Sequence, residues 1–106
     1  SKLQYDQARK ESNLLKFEQV LNANELEKIT SQLASVKQQA KDAGYKDSEI
    51  KDYPVYQELV AKQTEYDTRK DSIEAQLELL DQDMDSFLNL QKDGIQDQTT
   101  FWCFGG

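Results

Sequence analysis

Apolar residues recur along this chain at helical spacing in two long segments, split by a break between Gly44 and Pro54. In the first segment the clearest stripe is Leu26, Ile29, Leu33, Val36, Ala40 and Ala43, spaced 3-4-3-4-3. That alternation is the seam of a coiled coil. Towards the N-terminus the stripe is looser, with Leu3, Leu14, Phe17 and Leu21. Its register slips across Asn22-Ala23-Asn24, where asparagine side chains compete for backbone hydrogen bonds. The pattern predicts one continuous helix with a soft spot there.

The second segment carries one heptad seam. Leu59, Tyr66, Ile73, Leu80 and Phe87 recur every seven residues, with Tyr56, Leu77 and Met84 between them. Gln63, Lys70 and Gln91 fill the remaining seam positions. Leu79, Leu88 and Leu90 widen the stripe near its C-terminal end. A two-helix seam needs only the narrow stripe, so the widening predicts a further partner.

The break supplies stop and start signals. Gly44 suits the left-handed position that closes a helix. Asp47 or Ser48 would open a single helical turn that lays Ile50 and Tyr45 over the end of the structure. Asp52 suits a helix N-cap, and Pro54 suits a first helical turn. Gly94 reads as the stop of the second helix. The predicted fold is therefore all-α: two long antiparallel helices in a coiled-coil-like hairpin with a short irregular aromatic tail. Residues 1–94 form the hairpin, with helices over about 2–43 and 54–93 and a loop over 44–53. Residues 95–106 form the tail. Each helix would be about 60 Å long at 1.5 Å per residue. Folding about the break sets residue i beside residue 98 − i, which brings Lys10 and Lys16 alongside the acidic stretch Asp81–Asp85.

Composition agrees with a thin core. The chain has 106 residues, 37% hydrophobic and 31% charged, with four Gly and one Pro. Its net charge of −7 is uneven. Residues 1–44 hold seven Lys/Arg and six Asp/Glu, while residues 45–106 hold six and fourteen. An acidic chain without a basic stripe argues against nucleic acid and against an anionic membrane surface. The first half becomes an electrostatic partner for the second, within one chain or between chains. No apolar run approaches the roughly 18 residues of a transmembrane helix, and Ser1-Lys2-Leu3-Gln4 does not read as a secretory signal.

Candidate chemistry is sparse. Histidine is absent, which removes the commonest general base and metal ligand. The single Cys103 has no histidine to activate it and reads as a small packed hydrophobe. Asp81-Gln82-Asp83-Met84-Asp85 has the opening spacing of a calcium loop. Ser86 stands where that loop needs Gly, and Lys92 where it needs Glu. The stretch reads instead as the solvated face of a helix. Phosphate-binding glycine loops are missing, and a narrow rod offers no cleft for paired carboxylates. The terminal Gly105-Gly106 lacks the β-rich body that a ubiquitin-like modifier requires. The expectation is no enzyme, no cofactor, no metal site and no small-molecule substrate.

The tail Phe101-Trp102-Cys103-Phe104 is the strongest functional clue. Burying each aromatic side chain would contribute roughly 1.5–3 kcal/mol. The tail would fold back over Phe87, Leu88 and Ile95, dock into a neighbouring subunit, or touch a membrane. Docking is the expectation, because aromatic anchors are what interface hot spots look like. The expected interface residues are Phe101, Trp102, Phe104, Phe87, Leu88, Leu90 and Ile95.

The layout resembles type III secretion needle subunits, which are helix–turn–helix chains with a proline-bearing loop and a C-terminal segment needed for packing. Lys51-Asp52-Tyr53-Pro54-Val55 would be that loop and Ile95–Gly106 that segment. This chain is longer, and its loop has one proline where the needle loop usually has two. Small secreted hairpins with Trp-x-Gly in the turn are similar in length, but here the one tryptophan is Trp102. The likeness is one of layout, so no functional residue is carried over.

The expected function is structural: a self-assembling subunit of a bacterial helical filament or tube, with itself as partner. The alternative is a coiled-coil adaptor or secretion-chaperone-like module presenting its acidic face or tail to another protein. A filament would lie outside the cell or on its surface, by a route without a cleaved signal. An adaptor would be cytoplasmic.

Overall fold

A computed structural model describes the backbone of residues 1–98 and the side chains of residues 1–90. Among the described residues there are three helices: α1 (Lys2–Asp42), α2 (Asp47–Ile50) and α3 (Pro54–Gln98). The long helices α1 and α3 pack on each other as an all-α helical hairpin. Two compact units divide the chain. One is Glu18–Ile73; the other joins Ser1–Phe17 to the part of α3 from Glu74 onward.

The seam of α1 is regular along the whole helix. Apart from Asp6, its buried or half-buried residues are Tyr5, Ala8, Ser12, Leu15, Gln19, Asn22, Leu26, Ile29, Leu33, Val36 and Ala40. They alternate 3-4 without interruption, so no register slip occurs at Asn22–Asn24 and α1 continues through both asparagines. Leu3, Leu14, Phe17 and Leu21, expected as the N-terminal seam, are all exposed. The inward positions there are Tyr5 and Leu15 together with the small or polar side chains of Ala8, Ser12, Gln19 and Asn22. On α3 the expected seam is the observed one: Tyr56, Leu59, Gln63, Tyr66, Ile73, Leu77, Leu80, Met84 and Phe87 are buried or half-buried. Lys70 stays exposed.

Register within the Glu18–Ile73 unit is closer to the loop than expected. The rule 98 − i pairs Thr30 with Thr68 and Asn22 with Gln76. In the structure Gln63 Nε2 donates to Thr30 Oγ1 at 3.3 Å, and Asn22 Nδ2 donates to the Tyr66 carbonyl at 2.9 Å. The connection explains the shift, because α2 folds back beside the last turn of α1 instead of spanning a symmetric bend. Lys41 Nζ reaches Asp47 Oδ1 at 3.4 Å, and Ile50 is only 1% exposed.

Helix ends follow backbone geometry. Gly44 has φ +93°, its N–H donates to the Lys41 carbonyl at 2.9 Å, and the Tyr45 N–H donates to the Ala40 carbonyl at 3.0 Å. This double closure satisfies carbonyls that the helix end would otherwise orphan. A Cβ at Gly44 would meet nothing within 4 Å, so the cost of a side chain there is conformational alone. Gly44→Ala is expected to lose about 1 kcal/mol, read as a lower urea midpoint at unchanged slope. An unchanged midpoint would remove the role given to this glycine.

At α2 the Lys46 N–H donates to Glu49 Oε1 at 3.1 Å. Tyr53, not Asp52, holds the cap position of α3: its carbonyl accepts from the Gln57 N–H at 3.0 Å, and Pro54 follows as the first helical residue. Pro54 needs no hydrogen-bond partner at that position, so α3 starts at Pro54 as expected, with its cap one residue later than Asp52. Tyr45 and Tyr53 meet edge to face with centroids 5.6 Å apart. Tyr45 beside it holds the Tyr53 phenol above its ordinary range, through hydrogen bonding first and charge second.

The expected stop at Gly94 is not used, since α3 continues to Gln98. Glycine inside a helix costs about 1 kcal/mol relative to Ala but does not end it unless the chain turns left-handed there.

Candidate functional site

Helical geometry places two apolar stripes on different faces of α1. The inner one is the seam. The outer apolar residues are Leu14 and Phe17 in the unit that contains Ser1–Phe17, and Val20 and Leu21 in the Glu18–Ile73 unit. Leu14 is 65% exposed and Phe17 61%. These are large side chains in adjacent turns of one helix, each lying about half a turn round from the seam residues. No contact made by the seam covers them.

The residues expected to form the interface divide three ways. Phe87 is half-buried in the seam of α3. Leu88 and Leu90 are exposed beside it, as is Leu79. Ile95 lies on the α3 backbone, but its side chain falls outside the described residues, as do Phe101, Trp102 and Phe104 altogether. Apolar spacing alone puts Leu14, Phe17 and Leu21 in the seam, and the structure puts them outside it. The signal that finds it is the unbroken 3-4 series through Ser12, Gln19 and Asn22, which leaves Leu14, Phe17 and Leu21 pointing away.

The seam holds two buried polar residues. Asn22 is 7% exposed and spends an amide proton on the Tyr66 carbonyl of the facing helix. Ser12 Oγ is buried without a hydrogen-bond partner. An orphaned buried hydroxyl costs free energy that a methyl group would not.

Electrostatics within the hairpin are weak. Among the described residues the ion pairs are Lys41–Asp47 and Arg69–Glu65, and neither bridges α1 and α3. Lys10 and Lys16 are not brought into ion-pair range of the acidic stretch. The Arg69 guanidinium instead sits 5.2 Å from the Tyr66 ring centroid on its own helix. Asp81, Asp83 and Asp85 are exposed along continuous α3, as expected for a solvated helix face. No cluster of three metal-ligating side chains occurs among the described residues, and no described helix is long and apolar enough to cross a membrane.

No protein-family model matches this chain, and no curated protein or solved structure matches it significantly.

Proposed function

We propose that this chain is a structural subunit that self-assembles into a helical filament or tube, with its aromatic tail docking into a neighbouring subunit. The observation that carries the reading is apolar surface left outside the seam on both long helices. Leu14 and Phe17 stand out on α1 in one unit and Val20 and Leu21 in the other, and Leu79, Leu88 and Leu90 stand out on α3. Scattered single apolar residues need no explanation, but large apolar side chains exposed in neighbouring pairs mark a contact surface. Copies that insert a tail into the next copy make a contact that does not close on itself, and such contacts generate filaments.

The test is negative-stain electron microscopy of the intact chain beside one truncated after Thr100. Regular filaments from the intact chain, absent after truncation, are expected. Small uniform particles from both would overturn the reading and favour the adaptor alternative, in which a different protein covers the same surfaces.

A further inference from the structure

We propose that the flank carrying Arg9 and Lys16 on α1 and Glu74, Glu78, Asp81 and Asp85 on α3 is a two-fold contact with a second copy of this chain. The inference rests on the self-assembly reading and adds a lateral contact to it. All six residues lie in the unit that joins Ser1–Phe17 to α3 from Glu74 onward.

The seam fixes where they stand. Arg9 and Lys16 each follow a seam residue of α1, Ala8 and Leu15. The four acids each follow one of α3: Ile73, Leu77, Leu80 and Met84. In an antiparallel pair, the positions that follow the seam on both helices share one flank. All six residues are exposed. Lys10, Glu11 and Asp83 do not follow a seam residue and lie off this flank. Asp6 does follow one, but Lys2, Arg9 and Lys16 outweigh it on the α1 edge. Lys92 holds the next such position on α3 beyond the described side chains, and the proposed contact ends at Asp85. Four acids spaced 4-3-4 repel one another and are relieved by a cation nearby. Their own chain does not pair them: among the described residues no ion pair joins α1 and α3.

Spacing makes the flank complementary to itself. The helices enter this unit at Phe17 and Glu74. From that end Lys16 is about 1.5 Å in and Arg9 about 12 Å, at 1.5 Å per residue. Glu74 and Glu78 lie at about 0 and 6 Å, and Asp81 and Asp85 at about 10 and 16 Å. Each base is level with the gap between two acids, and both series repeat after seven residues. A two-fold axis along the hairpin sets α1 of one copy over α3 of the other at the same level. Arg9 then meets Asp81 and Asp85 of the second copy, Lys16 meets its Glu74 and Glu78, and symmetry repeats both contacts. An unrelated basic partner would satisfy the acids but repel Arg9 and Lys16. A surface with both edges at this spacing satisfies all six, and this chain carries one.

Charge exchange in the full chain tests the contact. One variant carries Arg9→Glu and Lys16→Glu; the other carries Glu74→Lys, Glu78→Lys, Asp81→Lys and Asp85→Lys. Circular dichroism checks that both stay helical, and analytical ultracentrifugation at low salt reads association. Each variant alone is expected to associate at least about tenfold more weakly than the parent chain, because like charges now face each other. An equimolar mixture should restore association, as mixed pairs seen by native mass spectrometry, and the parent's association should weaken as salt rises. Variants that each associate like the parent would overturn the contact, as would losses that mixing does not restore. Parent-like filaments from either variant alone would overturn the contact and leave self-assembly standing. A parent chain that stays monomeric at every concentration and salt would overturn both. Arg9→Gln with Lys16→Gln adds no like charge and should weaken association by a smaller factor; no loss would count against the contact.

Discussion

Ile50→Ala is expected to destabilise the hairpin by about 3 kcal/mol, a large share of the net stability of a small domain. Ile50 is the most deeply buried apolar side chain described, at 1% exposure, although it sits in a helix of four residues. A helix of one turn has no stability of its own. What holds α2 in place is therefore this side chain and the hydrogen bonds around it. The Lys46 carbonyl accepts from the Glu49 and Ile50 N–H groups, and Gln57 Nε2 donates to the Lys51 carbonyl. Those bonds are exposed to water and contribute little net. Truncating Ile50 removes the anchor and leaves a void that α2 closes only by moving. Tyr45→Ala, at a half-exposed neighbour, should cost under about 1 kcal/mol by contrast. Urea unfolding followed by circular dichroism separates the two. Equal losses would mean that the connection is a passive linker.

The sequence made α3 legible and half of α1 misleading, for one physical reason. Periodicity reports where apolar residues recur, not which way they face. On α3 the apolar and inward positions coincide from Tyr56 to Phe87, so the stripe and the seam are the same. On the first half of α1 they separate. Ser12, Gln19 and Asn22 face inward, while Leu14, Phe17 and Leu21 face out. Following leucines alone manufactures a slip at Asn22. Gly44 was readable because its left-handed turn is a backbone requirement, whereas Gly94 stands in a helix that makes no such turn. The offset between the helices depends on where α2 folds and on the Asn22–Tyr66 bond, and the spacing of apolar residues encodes neither. The tail aromatics were readable as apolar but not as belonging to any one surface, and they lie outside the described residues.

Ser12→Ala and Asn22→Leu are expected to stabilise the hairpin, by about 1 and 1–2 kcal/mol, and together by about their sum. Ser12 loses a buried hydroxyl that nothing satisfies, and alanine is also the better helix former. Asn22 gives up one hydrogen bond, but the Tyr66 carbonyl keeps its own helical partner, and leucine would bury apolar surface in the seam. The two sites are ten residues apart on α1, about 15 Å, and should not couple. A gain on that scale turns the seam into a conventional apolar one and exposes what the polar residues supply. Asn22 can donate across the seam only at the level of Tyr66, so its bond favours one offset of the helices over offsets a heptad away. The double variant should therefore melt later yet show a second set of amide resonances for residues of the Glu18–Ile73 unit, from a slipped register. Higher stability with a single set would assign register to the connection at Ile50 alone. Lower stability would mean that Ser12 and Asn22 are satisfied parts of the core.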